Sequence, residues 1–435
     1  MTNEQLKQED LKYIFHPCTQ MKDHETLPLI PIKEGKGVYL YDFEGNSYID
    51  AISSWWVNTL GHSNQFINQK IKEQLDSLEH VLLAGFTHQP AVELSKKLVQ
   101  ITPKGLDKVF FADNGSSGIE VALKMAFHYY RNKGEIRPYF VSLQNSYHGE
   151  TMGALSVSDM GLYKDIYNPM LLETLQAKAP NNQTKEEANL ALDDMERLFI
   201  EKSKSISAVI IEPLIQCAGL MNMYHPDYIT GLRELCTKYD ILLIADEVAV
   251  GFGRTGKLFA CEHSGITPDF MVLSKGLTAG YLPLSVVMLT QNIYDAFYCD
   301  YDIQGTKSFL HSHSYTGNPL SCTAALASLE YLEKYDIINE NQKKIEFIKE
   351  QLKRFENLSN VTNIRQTGMV SALDLKGYKP EQRIGLEVYK YALSKGVLLR
   401  PLGNVIYFMT PYIITNEQLE KIFDVAHEAI EKIRI

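Results

Sequence analysis

An excess of positive charge is missing from this chain: 43 Lys and Arg face 53 Asp and Glu, a formal net charge of −10. That balance argues against the basic surface that nucleic-acid binding needs. Also missing is any Cys-x-x-Cys pair or His at zinc-finger spacing, so the six cysteines, at 18, 217, 236, 261, 299 and 322, read as reduced thiols with no metal site. No apolar run approaches the ~18 residues of a membrane-spanning helix. The acidic, polar start Met1-Thr-Asn-Glu-Gln-Leu-Lys-Gln-Glu-Asp10 does not read as a signal peptide, so a cytoplasmic protein is expected. There is no internal repeat, and 181–187 is the one stretch that reads as a loose surface loop.

What is present is a globular composition, with 45% hydrophobic and 22% charged residues over 435 positions. That length suits about two to four domains, or one large enzyme fold with a smaller companion. Short apolar segments at 109–112, 139–143, 208–211, 241–245, 270–273 and 284–289 read as buried parallel strands. Between them, 118–130 places Ile119, Ala122, Met125 and Tyr129 on one helical face, and 226–239 does the same with Ile229, Leu232, Leu235 and Cys236. The expectation is an α/β domain over 60–325 with a mostly parallel sheet flanked by helices. The ends differ. Residues 31–52 alternate around a turn at Glu44-Gly-Asn46, and the chain beyond 326 is helix-rich, with strands at 369–375 and 405–409 and a last helix opened by the capping box Thr415-x-x-Gln418. Segments 1–59 and 326–435 are therefore expected to form one small α+β domain.

The chemistry collects at strand ends. Lys275 follows the strand 270–273, at the edge where ligands bind in open α/β sheets, and could serve as a Schiff-base amine as well as a surface charge. Asp246 ends the strand before it, 29 positions earlier, about one strand-helix-strand unit. A carboxylate there can keep a pyridine nitrogen protonated, the partner that a pyridoxal phosphate site requires. In Phe110-Phe-Ala-Asp-Asn-Gly-Ser-Ser-Gly118 a strand meets a helix through a glycine turn, and its amides with the Ser116 and Ser117 hydroxyls could bind a phosphate or simply cap the helix. Tyr147, in Asn145-Ser-Tyr-His-Gly149, could stack on a flat ring or pack in the core. Gly251-Phe-Gly-Arg-Thr-Gly256 matches the dinucleotide pattern in letters only, because the strand ends too early and no crossover helix fits before Gly265 and Pro268.

With Ile244-Ala-Asp-Glu-Val-Ala-Val-Gly-Phe-Gly-Arg-Thr-Gly256 and the run from Pro268-Asp to Ser274-Lys-Gly276, the chain resembles the class III, pyridoxal phosphate-dependent aminotransferases over nearly its whole length. Four further matches, His16-Pro-Cys-Thr-Gln-Met21, Ser53-Ser-Trp-Trp56, Thr87-His88 and Arg400-Pro-Leu-Gly-Asn-Val-Ile-Tyr407, are similar to the branch that aminates 8-amino-7-oxononanoate in biotin synthesis. The resemblance implies fold type I, a homodimer with a shared active site, and ping-pong transfer through pyridoxamine phosphate. It implies that Lys275 holds pyridoxal 5'-phosphate, Asp246 pairs with the pyridinium, Gly115 and Ser116 bind the phosphate, and Tyr147 borders the ring and substrate. Trp55, Trp56 and Tyr407 would line the substrate pocket, Arg400 would receive the keto acid's carboxylate, and Arg254 would help choose substrates. The segment His311-Ser-His-Ser-Tyr-Thr-Gly-Asn318 resembles a loop that crosses from the partner, with His313 and Ser314 at the phosphate and Ser312 near the substrate.

Departures from the family pattern bear on the amino donor. Cys18 stands where many members have a Tyr that recognises the keto acid and the donor's adenine, Glu150 replaces an Asp, and Ser312-His-Ser314 replaces Gly-Pro-Thr. S-adenosylmethionine is the expected donor and lysine the alternative. The tandem Trp55-Trp56 and the His16-Pro motif argue against an enzyme for ornithine or γ-aminobutyrate. Lys275, Asp246 and Tyr147 together argue against a silent cofactor-binding protein.

Overall fold

The computed structural model describes residues 2–27, 29–301 and 307–433. The chain divides into two compact units, one of 66–342 with 366–369, the other of 1–65, 343–365 and 370–435.

The large unit is built on a seven-stranded sheet in the order Leu106–Ala112, Ser285–Thr290, Phe270–Leu273, Leu242–Asp246, Ile206–Ile211, Tyr139–Leu143, Leu175–Ala177. The strands from Phe270–Leu273 to Leu175–Ala177 run parallel. Ser285–Thr290 is antiparallel to both of its neighbours, which corrects the expectation that every buried strand here is parallel. The cause is chain length: 11 residues join it to Phe270–Leu273, fewer than a parallel crossover requires. Its apolar run at 286–289 reads the same in either direction. The short strand Leu175–Ala177 had no sequence signal of its own.

Helix Gly115–Asn132 covers the sheet because Ile119, Ala122, Met125, Ala126 and Tyr129 recur at helical spacing and are all buried. It lies close to the strands. A Cβ on Gly118 would come within 2.8 Å of Val272 Cγ1. Helix Asp227–Tyr239 buries Ile229, Leu232 and Cys236 and ends on Asp240 in the left-handed conformation. The polar stretch expected as a loop ends at Thr184, which caps helix Lys185–Lys202 by accepting from the Glu187 amide. Helix Pro319–Lys334 belongs to this unit, packed on Gln89–Ile101, although the sequence placed the boundary near 325. Its buried face is mostly small, Ser321, Cys322, Ala324, Ala325, Ala327 and Ser328, with the large apolar residues Leu329 and Leu332 only towards its end.

The small unit holds a sheet of Ile32–Lys36, Tyr39–Asp42, Ser47–Asp50 and Val397–Leu398, and a second of Val361–Thr367, Val370–Leu375 and Val405–Met409. The turn after Asp42 is organised by its carboxylate, which accepts from the Glu44 and Asn46 amides, Asn46 Nδ2, Tyr48 OH and Asn3 Nδ2. The last bond ties helix Asn3–Tyr13 to the sheet. Helix Asn416–Lys432 starts with the expected capping box and buries Leu419, Ile422, Phe423, Ala426, Ala429 and Ile430. Among the described residues no helix is long and apolar enough to cross a membrane.

Candidate active site

In the large unit, the carboxyl edge of the parallel strands gathers the charged groups. Asp246 ends its strand and is 5% exposed. One oxygen accepts from the Val248 amide at 3.1 Å, and the other lies 2.8 Å from His148 Nδ1. A carboxylate only accepts, so the shared proton belongs on Nδ1. His148 Nε2 is buried without a hydrogen-bond partner among the described residues.

The loop carrying His148 is held from below. Glu212 directly follows the neighbouring strand Ile206–Ile211, and its two oxygens accept from the amides of Tyr147 and Cys217, each at 3.0 Å. Burial pushes the Glu212 carboxyl up, with His148 opposing and the Asp246 charge adding, to about 7. Tyr147 is half-buried; its hydroxyl donates to Glu150 at 2.9 Å and its ring meets Tyr163 edge-on at 5.5 Å.

Lys275 follows its strand with φ at 46°. Ser274 fixes the backbone there by donating its hydroxyl to Leu284 O at 2.7 Å. Burial lowers the Lys275 ammonium below the ordinary lysine range, against the attraction of Cys217, Asp246 and Glu212 and with the repulsion of Arg254. Arg254, which the dinucleotide-like letters surround, is 1% exposed in this same cluster. After Gly256 only the short 3-10 turn Ala260–His263 forms, so no dinucleotide unit exists there.

Gly115 and Ser116 open the long helix. Asn114 caps it by accepting from the Ser117 amide, while Gly118 N bonds to Asn114 O. The amides of Gly115 and Ser116 are thereby left to an anion. Two glycines hollow the place out: a Cβ on Gly115 would meet Val248 Cγ1 at 2.9 Å, and one on Gly149 would meet Ser116 Oγ at 2.1 Å. The same approaches bring the Tyr147-His148-Gly149 loop against Ser116. Within one chain, Ser312 and Ser314 are exposed and His313 Nδ1 is 3.9 Å from Asp113.

The small unit groups its candidates in pairs. Arg400 is exposed, with its guanidinium 4.4 Å from the centre of the Trp55 ring, itself 41% exposed. Trp56 is buried and donates Nε1–H to the hydroxyl of buried Tyr407 at 3.1 Å. Both tryptophans sit in a run of left-handed residues, Ser53 to Trp56, where each costs about 1–2 kcal/mol over the right-handed form. Cys18 is exposed, also at positive φ.

The residues therefore fit a flat cofactor with an anionic tail and a ring nitrogen: an amide-lined, glycine-hollowed helix start, a buried carboxylate backed by a histidine, and a buried lysine whose charged form burial disfavours. Sequence reading missed His148, Val248 and Glu212 as parts of this arrangement. The strand-end rule that picked out Asp246 points equally to Glu212.

The family description "Aminotransferase class-III" matches residues 20–430. Adenosylmethionine-8-amino-7-oxononanoate aminotransferase of Helicobacter pylori is 47% identical, covering 99% of both chains, and that of Geobacter sulfurreducens is 42% identical over 98% of both. The crystal structure of the enzyme of that name from Methanocaldococcus jannaschii superposes with a TM-score of 0.95 at 37% identity, over 99% of this chain and 100% of that one. The omega transaminase of Pseudomonas jessenii, solved in complex with PMP, gives 0.91 at 28% identity over 98% of both. This chain belongs to the class III aminotransferases, with the mostly parallel sheet and flanking helices of fold type I.

Proposed function

We propose that the chain binds pyridoxal 5'-phosphate and transfers an amino group to 8-amino-7-oxononanoate, forming 7,8-diaminononanoate for biotin synthesis, with S-adenosylmethionine as donor. The observation that carries this reading is the convergence of Lys275, Asp246 with His148, and the Gly115-Ser116 helix start at one sheet edge, in a chain whose relatives carry that enzyme's name. When bound, the cofactor supplies a carbonyl for the donor's amine and an electron-withdrawing ring beside the carbon that loses its proton.

The remaining work falls to the protein. Lys275, disfavoured as a cation by burial, has an Nζ that can take a proton and return it. The Asp246 carboxylate would hold a proton on the ring nitrogen, and His148 keeps that carboxylate oriented from its far side. Gly115 and Ser116 would anchor the phosphate and Tyr147 would border ring and substrate, with Arg254 supplying local positive charge. In the small unit, the planar fork of Arg400 suits a carboxylate, and Trp55, Trp56 and Tyr407 supply apolar surface for a long carbon chain. We further propose a homodimer in which His313 and Ser314 serve the partner's phosphate and Ser312 its substrate. Lysine as donor is the second reading, favoured by Cys18, an exposed thiol where an aromatic partner for adenine is expected.

Borohydride reduction of the holoenzyme followed by peptide mapping should place the adduct on Lys275, and a donor screen with 8-amino-7-oxononanoate should show turnover with S-adenosylmethionine. An adduct elsewhere, or no product with either donor, would overturn the proposal. Turnover with lysine alone would transfer it to the second reading.

A further inference from the structure

Ser53, Ser54, Trp55 and Trp56 have φ of 50°, 45°, 69° and 74°, and none is glycine. The Trp56 amide donates to Ile52 O at 2.9 Å and the Val57 amide to Ser53 O at 3.0 Å, closing one turn of left-handed helix. Side chains oppose such a turn, so it persists only where its surroundings over-determine it. Those surroundings centre on Asp50, which is fully buried. One Asp50 oxygen accepts from the Ser54 amide at 2.9 Å and the Ile52 amide at 3.4 Å, and the other from the Ser54 hydroxyl at 2.7 Å and His62 Nε2 at 3.0 Å.

His62 is fixed in its turn. Asn58 Nδ2 donates to its Nδ1 at 2.8 Å, which puts the ring proton on Nε2, facing Asp50. Its backbone exchanges two hydrogen bonds with Gly37, and a Cβ on Gly35 would come within 2.7 Å of its own Cβ. Ser53 closes the other side by donating its hydroxyl to Met409 O at 2.7 Å.

We propose that Asp50 and His62 are a positioning pair that holds this left-handed turn and thereby presents Trp55 and Trp56 for substrate recognition. The pair touches no reacting atom; it acts through the turn. This rests on the reading of those rings as substrate contacts given above, and the two ideas separate experimentally.

The chain has two tryptophans, and both are in the turn, so intrinsic tryptophan fluorescence reports on it alone. In holoenzyme that keeps its far-ultraviolet dichroism, Asp50→Asn and His62→Ala should move the emission to the red and increase acrylamide quenching. Both should raise KM for 8-amino-7-oxononanoate about tenfold, the worth of one charge-assisted hydrogen bond, with kcat nearly unchanged. His62→Gln, which still offers a donor, should restore both readouts. Glycine accepts positive φ without strain, so Asp50→Asn with Ser54→Gly should recover the emission of the parent and also protects against a single variant that fails to fold. Unchanged emission and quenching in folded Asp50→Asn and His62→Ala would overturn the positioning role. A shifted emission with unchanged KM would leave the pair holding the turn and overturn the assignment of the rings to substrate.

Discussion

Gly149 is where the proposed phosphate cradle would be most sensitive to one added carbon. Its φ of +127° lies in a region that L residues rarely enter, and a Cβ there would sit 2.1 Å from Ser116 Oγ, 2.8 Å from its Cβ and 3.1 Å from its Cα. Gly149→Ala therefore carries two costs, about 1–3 kcal/mol for the backbone and about 1–3 kcal/mol for overpacking. Rotating Ser116 away relieves the hydroxyl clash but leaves the close approach to the Ser116 backbone, and it removes a hydroxyl that would donate to the cofactor's phosphate, worth about 1.5–3 kcal/mol. Gly134 is the control, because its φ is +86° and nothing lies within 4 Å of the Cβ it would gain. Gly134→Ala meets only the backbone cost and lies outside the cradle.

Titrating the apoenzyme with pyridoxal phosphate, followed by absorbance, should then show Gly149→Ala binding about 10- to 100-fold more weakly than Gly134→Ala. Adding Ser116→Gly to Gly149→Ala removes both clashing side-chain atoms, so thermal stability should rise while affinity stays low. Equal cofactor affinity in Gly149→Ala and Gly134→Ala would refute the cradle.

Three further outcomes follow from the same geometry. Glu212 has a raised folded pKa, so the folded state holds an extra proton between the ordinary carboxylate range and about 7, and stability contributed by that proton is lost as pH rises through this window; Glu212→Gln should flatten the fall in melting temperature between about pH 5 and 7. Asp42 behaves in the opposite sense: burial would raise it, but bonds from Asn46, Asn3 and Tyr48 outweigh burial and hold it at about 2, so its contribution is present above the ordinary Asp range and disappears as pH falls towards 2; Asp42→Ala should release helix Asn3–Tyr13 to limited proteolysis at neutral pH. Arg400→Lys keeps the charge but loses the planar fork, and should raise KM for the keto acid about 10- to 100-fold with kcat little changed, as steady-state kinetics would show.

Most of the sheet was legible because all its strands but the short Leu175–Ala177 carry mainly apolar runs bounded by charged or small polar residues. That punctuation singled out Lys275 and Asp246 as candidates, with a surface charge and a capping carboxylate as the alternatives. Direction within the sheet was not legible: Ser285–Thr290 carries no polar face to reveal that it runs against its neighbours, and only the length of its connection does. Glu212 was overlooked because its role rests on hydrogen bonds from the Tyr147 and Cys217 amides, which no residue pattern in the sequence displays.

The left-handed turn could not have been found from sequence, for a sharper reason. Local propensity places Ser-Ser-Trp-Trp in right-handed or extended backbone, and the groups that override it, Asp50, His62 and Met409 O, come from three separate places in the chain. Departures of this kind cost stability and survive where surrounding bonds hold them and function makes use of them. The large unit has a counterpart in Lys275, whose φ of 46° is fixed by the Ser274 to Leu284 bond one residue earlier. In both units a side chain proposed to serve the site is carried on backbone that its own residue type disfavours. Such a side chain has its direction set by the scaffold rather than by its own preferences, and that makes the supporting residues Asp50, His62 and Ser274 as informative to mutate as the groups they aim.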